Sequence, residues 1–371
     1  MAVMNIAQKL QLFWFYGTHY LMKFIYLRTG KMLPKPINFY LQTSFRCSAR
    51  CKMCFIWARK DPELPYKYWK NTIDQIVAWC GPTVKINLTG GEVLESEMSY
   101  RVLKYIAKKT FMAGFTTNGY FVDRKKAREL IRLNLSNINV SLDGVTDKTV
   151  NFIRGKDDFF QRTRNSIEYL VDEKNKSKSK TKIIIKTLIM APNLDEIVDV
   201  AKMTLKMGVN SIYYQPTYEP LESDWSENQF KASHLWPTKD LHPKINQAMD
   251  QLIQLKKGGA SMINSVNHLN GIRDYLLGNH VNTGLGNCDI DLTTMMFKQK
   301  GQIHFCDQYL PIGNIKDLQR KKLKDLIQGS QAVKLRKIMR KCGKNCLSPC
   351  FSKKSIKDYL NIYSNLVGWF G

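Results

Sequence analysis

The sequence predicts an α/β fold: a partial, TIM-like (β/α)6 barrel followed by a small C-terminal α+β unit. Six short apolar runs, β-branched or aromatic, are mostly bounded by Gly, Asn, Pro or Lys, as strands are. Segments such as Tyr100–Lys109 and Leu194–Met207 separate them with helical periodicity, so the order is that of parallel βα units. The runs are Ile37–Gln42, Val84–Leu88, Met112–Thr116, Ile138–Leu142, Ile183–Ile189 and Ser211–Tyr214.

The chain divides into five segments. Its 371 residues, 44% of them apolar, are enough for about two domains with a substantial core. We predict an amphipathic aromatic N-terminal segment, the barrel, a helical linker, a small cysteine-bearing domain and an amphipathic C-terminal tail. These are residues 1–36, 37–235, 236–285, 286–352 and 353–371.

Polar and glycine residues follow the first four predicted strands. A cysteine-bearing loop follows the first, Thr89-Gly90-Gly91-Glu92 the second, Thr117-Asn118-Gly119 the third, and Ser141, Asp143 and Gly144 the fourth. In barrels of this kind the functional residues lie at the carboxyl ends of the strands. The sequence therefore predicts that these four segments form one site.

The cysteine loop carries Cys47, Cys51 and Cys54 at the spacing Cys-x3-Cys-x2-Cys. Three thiolates on one short loop suit three irons of a [4Fe-4S] cluster and leave the fourth iron open to a ligand. The alternative is a zinc site, but structural zinc needs a fourth Cys or His, and none follows within this loop.

At this triplet the sequence resembles the radical SAM superfamily. The resemblance implies a [4Fe-4S] cluster whose open iron binds S-adenosylmethionine, which is cleaved reductively to a 5'-deoxyadenosyl radical. Gly90, Gly91 and Glu92 resemble the superfamily's GGE motif, whose backbone and acid hold the amino group of S-adenosylmethionine. We count Asn118 among the cofactor-binding residues.

The segment Ser141-Leu142-Asp143-Gly144, with Ile153-Arg154-Gly155 after it, is similar to a second stretch of the superfamily. By this resemblance Ser141 faces the ribose of S-adenosylmethionine and Arg154 its carboxylate. The sequence reads Thr149-Val150-Asn151 where relatives often carry Thr-His-Asp, so it departs from the pattern there. The alternative for Arg154 is a surface salt bridge.

Five further cysteines lie in the last quarter of the chain. Cys288, twelve residues, Gly301, four residues and Cys306 resemble the start of the auxiliary-cluster domains called SPASM and twitch. The resemblance implies a second [4Fe-4S] cluster, held by Cys288, Cys306, Cys342 and one of Cys346 or Cys350. The alternative is a zinc site with a spare thiol, because four thiolates suit either metal. Cys80 is predicted to be an ordinary buried cysteine.

Asp307 directly follows Cys306. In the anaerobic sulfatase-maturing branch an Asp at the corresponding position takes a proton from the substrate, and the resemblance makes Asp307 a candidate catalytic base. The commoner role of such an Asp is to close a turn.

The charge balance is strongly basic, with 57 Lys and Arg against 31 Asp and Glu and a formal net charge of +26. Such a field favours an anionic substrate or partner, although lysine-rich loops are often only solvated connections. Nucleic acid is not expected. Clustered cysteines without a cleavable signal pattern predict a reducing cytoplasm.

The stretch Leu10–Leu27 is rich in Phe, Trp, Tyr and Leu, and Tyr359–Phe370 is a similar aromatic tail. Lys23, His19 and Thr18 make the first stretch a poor transmembrane candidate. Two interpretations stay open: peripheral contact with an anionic membrane at its inner face, or packing on the barrel as capping helices.

The resemblance implies an enzyme that oxidises or modifies an unactivated carbon, reduced by an external one-electron donor such as a flavodoxin or ferredoxin. The basic surface and aromatic ends favour a small-molecule, lipid or envelope-precursor substrate. The alternative enzyme is a SPASM-type peptide or protein maturase. The non-enzyme alternative is an iron-sulfur or zinc scaffold that binds nucleic acid.

Overall fold

A computed structural model describes residues 6–218, 233–281 and 288–347. The strands are β1 Asn38–Gln42, β2 Lys85–Thr89, β3 Met112–Thr117, β4 Asn137–Ser141, β5 Lys182–Ile189, β6 Ser211–Pro216, β7 Thr294–Phe297, β8 Gln302–His304 and β9 Gly313–Asn314. The helices are α1 Ile6–Thr29, α2 Tyr66–Cys80, α3 Glu97–Lys109, α4 Arg124–Arg132, α5 Asp147–Arg154, α6 Phe159–Lys176, α7 Ile197–Lys206, α8 His242–Lys257, α9 Val266–Leu276, α10 Ile290–Thr293, α11 Leu323–Gln328 and α12 Ser330–Met339.

The first six strands form one parallel sheet in the order β6-β5-β4-β3-β2-β1. Each predicted run coincides with a strand to within one or two residues at either end. Helices on the outer face connect consecutive strands, which confirms the partial (β/α)6 barrel. Because all six strands run the same way, their carboxyl ends lie at one rim.

One face of each strand packs under the helices, and the other lines the interior of the barrel. On β5, Ile183, Ile185 and Ile189 are fully buried in the main core, and on β6 the Tyr214 hydroxyl donates to the Ile197 carbonyl of α7. The alternate positions are largely polar, including Asn87, Asn137 and Asn139. The barrel interior is therefore polar, whereas the helix-facing layer is apolar.

The C-terminal unit continues the barrel sheet. Strand β7 pairs in parallel with β1, from Asn38 opposite Thr294 to Leu41 opposite Phe297, and β8 and β9 follow antiparallel. Gly301 lies in the β7–β8 turn at φ +89°, a conformation that favours glycine. A hairpin therefore surrounds Gly301, and strand β7 joins the C-terminal unit to the barrel edge by backbone hydrogen bonds.

Helix α1 packs across the amino ends of the strands, at the opposite end of the barrel from the rim. Leu12 and Tyr16 form a small core with Ile37, Phe111 and Met112. Among the described helices, none combines the length and the hydropathy that crossing a bilayer requires. The tail 353–371 lies outside the described residues.

Candidate functional site

The cysteine loop leaves the carboxyl end of β1 and is fixed by backbone bonds to a distant helix end. Arg50 N–H donates to the Arg154 carbonyl at 2.9 Å, and Lys52 N–H to the Ile153 carbonyl at 2.8 Å. Gly155 follows at φ +67°, and a Cβ there would lie 2.5 Å from the Arg50 carbonyl oxygen. The loop that carries Cys47, Cys51 and Cys54 is therefore seated directly on the end of α5.

The glycines of the Gly90-Gly91-Glu92 turn make room for this same loop. A Cβ on Gly90 would lie 2.5 Å from the Ser44 carbonyl oxygen, and one on Gly91 only 2.1 Å from that of Arg46. Gly91 N–H donates to Ser44 at 2.8 Å, and Glu92 N–H to Arg46 at 2.7 Å. Sequence reasoning assigned these glycines to a ligand, but the closest approach in the structure is to the protein's own cysteine loop.

Glu92 is buried and connects the ends of β2 and β3. Its carboxylate accepts hydrogen bonds from the Thr117 hydroxyl at 2.7 Å, from Asn118 N–H at 2.7 Å and from Leu94 N–H at 3.1 Å. Burial raises the pKa of Glu92 to about 7, although these donors favour the charged form. Glu92 therefore holds the ends of β2 and β3 together. Its hydrogen bond to the amino group of S-adenosylmethionine stays a prediction.

The raised pKa of Glu92 predicts a pH dependence of stability. A carboxyl whose folded pKa lies above its ordinary 4.5 stabilises the fold when protonated, so this contribution is lost between about pH 4.5 and about pH 7. Between these limits we expect the free energy of unfolding of the wild type to fall by on the order of 2–3 kcal/mol because of Glu92. The variant Glu92→Gln should not show this fall. Urea unfolding of metal-free, reduced protein at pH 5 and pH 8 measures it.

Glu129→Gln is the control, because ion pairing with Lys126 lowers the pKa of Glu129. Its free energy of unfolding should fall with pH just as the wild type's does. Parallel pH profiles for the wild type and Glu92→Gln would show that Glu92 does not titrate in this range.

The other predicted cofactor residues surround the cysteines. The Asn118 side-chain amide lies 4.0 Å from Cys47 Sγ, and Ser141 ends β4 opposite Lys186. Arg154 is buried: one guanidinium nitrogen lies 3.7 Å from Cys51 Sγ, and another forms an ion pair with Asp143. The alternative of a surface salt bridge is therefore wrong for Arg154, since its side chain is 9% exposed.

The donor set fits an iron-sulfur cluster. Burial raises the pKa of the Cys47 thiol to about 12, with a further rise from Cys51, and burial also raises the pKa of Cys51. Such thiols become thiolates when a metal site offsets the charge. The guanidinium of Arg154 lies beside Cys51, and its Nε atom is buried without a hydrogen-bond partner among the described residues. A buried N–H group at this position needs an acceptor, which a bound ligand can supply. The triplet and Arg154 together match a thiolate-bound cluster with an anionic ligand.

Sequence reasoning missed two acids that hold the rim loops, and it missed the partner of a third acid. Glu95 accepts from Ser48 N–H inside the cysteine loop at 2.7 Å, and Glu196 accepts from the backbone N–H groups of Val145 and Thr146. Asp143 was placed at a strand end without a partner, and it pairs with Arg154. Of the two missed acids, Glu95, three residues after Glu92, lay near a recognised motif, and Glu196 did not.

A second group of thiols lies beside β7 and β8. Burial raises the pKa of Cys306 to about 11, and Cys342 and Cys346 lie near enough to raise it further. Cys288 interacts with Cys306 in the same way, and Arg340 fixes its position by donating to the Cys288 carbonyl at 2.9 Å. Four predicted ligands thus lie in one region, and Cys350 lies outside the described residues.

Asp307 lies beside these cysteines in an ion pair. Its carboxylate is 2.6 Å from Lys298 Nζ. The ion pair uses one of the two carboxylate oxygens, and the role of Asp307 as a base stays a prediction. Cys80 is buried at the end of α2, as predicted.

Among the described residues, no three His, Cys, Asp or Glu side chains are close enough to hold a single metal ion.

Comparison with known proteins identifies the family. Residues 41–204, from β1 to α7, match the family described as the Radical SAM superfamily. This match identifies residues 41–204 as a radical SAM domain. Its cofactors are accordingly a [4Fe-4S] cluster and S-adenosylmethionine, and the matched region contains the cysteine triplet, Glu92 and Arg154.

Individual relatives of this radical SAM protein are distant. It is 24% identical to the antilisterial bacteriocin subtilosin biosynthesis protein AlbA of Bacillus subtilis over 187 residues, 49% of this chain and 39% of AlbA. The solved structure of anSMEcpe with bound AdoMet and a Cp18Cys peptide superimposes with TM-score 0.59 at 16% identity, covering 90% of this chain and 98% of that one. Streptococcus suis SuiB bound to precursor peptide SuiA gives TM-score 0.60 at 16% identity, covering 85% and 72%.

These matches establish the fold, including the C-terminal unit beyond the barrel. The matched parts span between 34% and 57% of the length of the curated relatives.

Proposed function

We propose that this protein is a peptide- or protein-modifying radical SAM enzyme with an auxiliary iron-sulfur cluster. The observation that carries the proposal is the seating of three thiols at the barrel rim, beside Arg154 and above a polar interior. The bound cluster and S-adenosylmethionine supply a carbon radical that takes a hydrogen atom from an unactivated carbon. An external donor supplies the electron, and the residues of this chain hold and orient these groups.

Cys47, Cys51 and Cys54 hold the cluster, while Gly91, Glu92, Asn118, Ser141 and Arg154 surround the place of S-adenosylmethionine. Arg154 is charged, because Asp143 and the Cys51 thiol keep its pKa above the usual value although burial alone would lower it. A buried guanidinium at this point orients a carboxylate and offsets the negative charge of the thiolates. Glu92 fixes the backbone of the rim through its three hydrogen bonds. Binding of the cluster and of S-adenosylmethionine should therefore both depend on it.

The barrel interior favours a polar substrate. Asn137 donates to Asn139 at 3.1 Å, and Asn139 donates to Thr116 at 3.3 Å. Gln42 Oε1 and Asn87 Oδ1 are buried and accept no hydrogen bond from the described part of the chain. Unpaired buried acceptors require a donor, and peptide N–H groups supply donors at regular intervals.

The relatives support the same substrate class. AlbA is named for bacteriocin biosynthesis, and the structures of anSMEcpe and SuiB hold peptides. The sequence favoured a small molecule, lipid or envelope precursor because of the basic surface and aromatic ends. Helix α1, at the N-terminal end, lies at the opposite end of the barrel from the rim. Its aromatic residues therefore support docking of the protein more than binding of a substrate.

The electron donor is expected to bind near the cysteine loop. Arg46, whose side chain is 67% exposed, precedes Cys47, and Arg50 and Lys52 follow it. Such a basic surface attracts an acidic one-electron carrier of the flavodoxin or ferredoxin class. The chain's net charge of +26 acts in the same direction.

Anaerobic reconstitution tests the proposal. With dithionite and S-adenosylmethionine, the protein should form 5'-deoxyadenosine, whereas an iron-sulfur or zinc scaffold should form none. Substrate class is tested with extracts of cells grown on perdeuterated amino acids. Deuterium in 5'-deoxyadenosine from the peptide fraction supports a peptide substrate; deuterium only from extracts with labelled lipids or metabolites would overturn it.

Replacing Cys306 with Ala separates the two clusters. We expect 5'-deoxyadenosine formation to stay within about twofold of the wild type, because Cys306 lies outside the cysteine loop, while modified peptide is lost. Cys80→Ala is the matched control, since Cys80 is also buried but belongs to neither predicted ligand set. Full product formation by Cys306→Ala would remove the auxiliary cluster from the reaction.

A further inference from the structure

Helix α1 has apolar side chains on two opposite faces. One face is buried: Leu12, Tyr16, His19 and Lys23 recur at intervals of three and four residues and pack on the barrel. His19 Nδ1 lies 2.7 Å from the Lys35 carbonyl oxygen, and Lys23 Nζ lies 2.6 Å from the Asp289 carboxylate. These contacts fix the rotation of the helix, so the opposite face is held outward.

The outward face is a continuous apolar stripe. Its members recur at intervals of three or four residues, with Gly17 between the two halves. They are Ile6, Leu10, Phe13, Trp14, Leu21, Phe24 and Leu27, and between 46% and 76% of each residue's surface is exposed. Exposed apolar residues that are aligned along one helix mark an interaction surface, whereas isolated ones do not.

The charge around this stripe has one sign. Residues 1–36, which contain α1 and the chain just beyond it, carry five Lys and Arg and no Asp or Glu. Arg28 lies over the Phe24 ring at 3.7 Å, and Lys31 and Lys35 are exposed just beyond the helix. The charge of Lys23 is neutralised inside the protein by Asp289, so the exposed cations border the stripe and leave its centre apolar.

We infer that the exposed face of α1 docks this protein on an anionic lipid bilayer, with the helix lying in the headgroup layer. Large apolar side chains insert to the depth of the acyl boundary, and bordering cations contact anionic headgroups. A second copy of this face would oppose cations to cations, and the tail 353–371 is itself net basic. Charge complementarity therefore favours lipid over either protein surface.

The docking surface lies at the amino ends of the strands, and the loop that carries Cys47, Cys51 and Cys54 lies at their carboxyl ends. A protein bound through α1 therefore turns the rim and its cysteine loop toward water. The membrane accordingly acts as a docking site, and the substrate reaches the rim from the aqueous side. This goes beyond the proposed function, which needs no membrane.

Vesicle flotation of the full-length protein tests the inference. We expect the wild type to float with phosphatidylglycerol-containing vesicles at low salt, to float at least tenfold less with pure phosphatidylcholine, and to be released as salt rises. The combined variant Leu10→Glu, Trp14→Glu, Phe24→Glu should lose flotation by at least tenfold. These side chains are exposed, so the fold and 5'-deoxyadenosine formation in solution should be unchanged.

The matched control carries the same three added charges at exposed apolar positions elsewhere. Leu310→Glu, Val333→Glu, Ile338→Glu should float like the wild type. No flotation of the wild type, or equal flotation of the α1 variant, would overturn the inference. Loss of binding only on replacing Trp369 and Phe370 by Glu would assign docking to the tail, and a wild-type dimer dissociated by the α1 variant would assign the stripe to a second copy.

Because 5'-deoxyadenosine formation is measured on the same samples without vesicles, failure of docking and failure of the enzymatic proposal are separate results.

Discussion

Replacing Cys54 with Ala is expected to abolish 5'-deoxyadenosine formation, with a loss of at least a thousandfold. Cys54 belongs to the loop that is fixed on α5 and on the Gly90-Gly91-Glu92 turn. Removing one of three thiolates leaves the cluster with two ligands on this loop. Iron content should fall from about eight to about four per chain if the auxiliary cluster is intact.

Cys80→Ala again serves as the control, and its iron content and turnover should match the wild type. The measurement is chromatography of 5'-deoxyadenosine with an iron and sulfide count on anaerobically purified protein. A Cys54→Ala protein that kept its full iron content would show that Cys54 ligates no iron. Wild-type turnover by this variant would remove the triplet from the proposed chemistry.

The barrel was predictable because its signals are local. Runs such as Ile183–Ile189 are β-branched and bounded by breakers, and a parallel sheet buries them from both sides. Polar residues at the ends of successive strands must meet at one rim, so the gathering of Cys47, Glu92, Asn118 and Ser141 followed from strand order alone. The triplet spacing then supplied the chemistry.

Other features were hidden because they join distant segments. The Gly91 Cβ position meets Arg46, which lies 45 residues earlier, and nothing in a Gly-Gly pair indicates which chain will approach it. The pairing of β7 with β1 joins residues about 250 positions apart. Similarly, only the packed structure shows which face of α1 is buried, because that face includes the polar residues His19 and Lys23.

Gly91→Ala is expected to be the most damaging substitution outside the cysteines. The new Cβ would lie 2.1 Å from the Arg46 carbonyl oxygen and 2.8 Å from the Phe45 carbonyl carbon, so backbone must move. That movement breaks the bonds from Gly91 N–H and Glu92 N–H to the cysteine loop. We expect a loss of about 3 kcal/mol in unfolding free energy and at least a hundredfold loss of 5'-deoxyadenosine formation.

Gly271→Ala is the matched control, because its Cβ would meet nothing closer than 3.4 Å and it lies within helix α9. It should be neutral or slightly stabilising. If Gly91→Ala lost stability but kept full turnover, the loop would tolerate displacement and the cofactors would not depend on this contact. If it kept both, the close packing of the two rim loops would be wrong, and with it the seating of the three thiols on which the proposed chemistry rests.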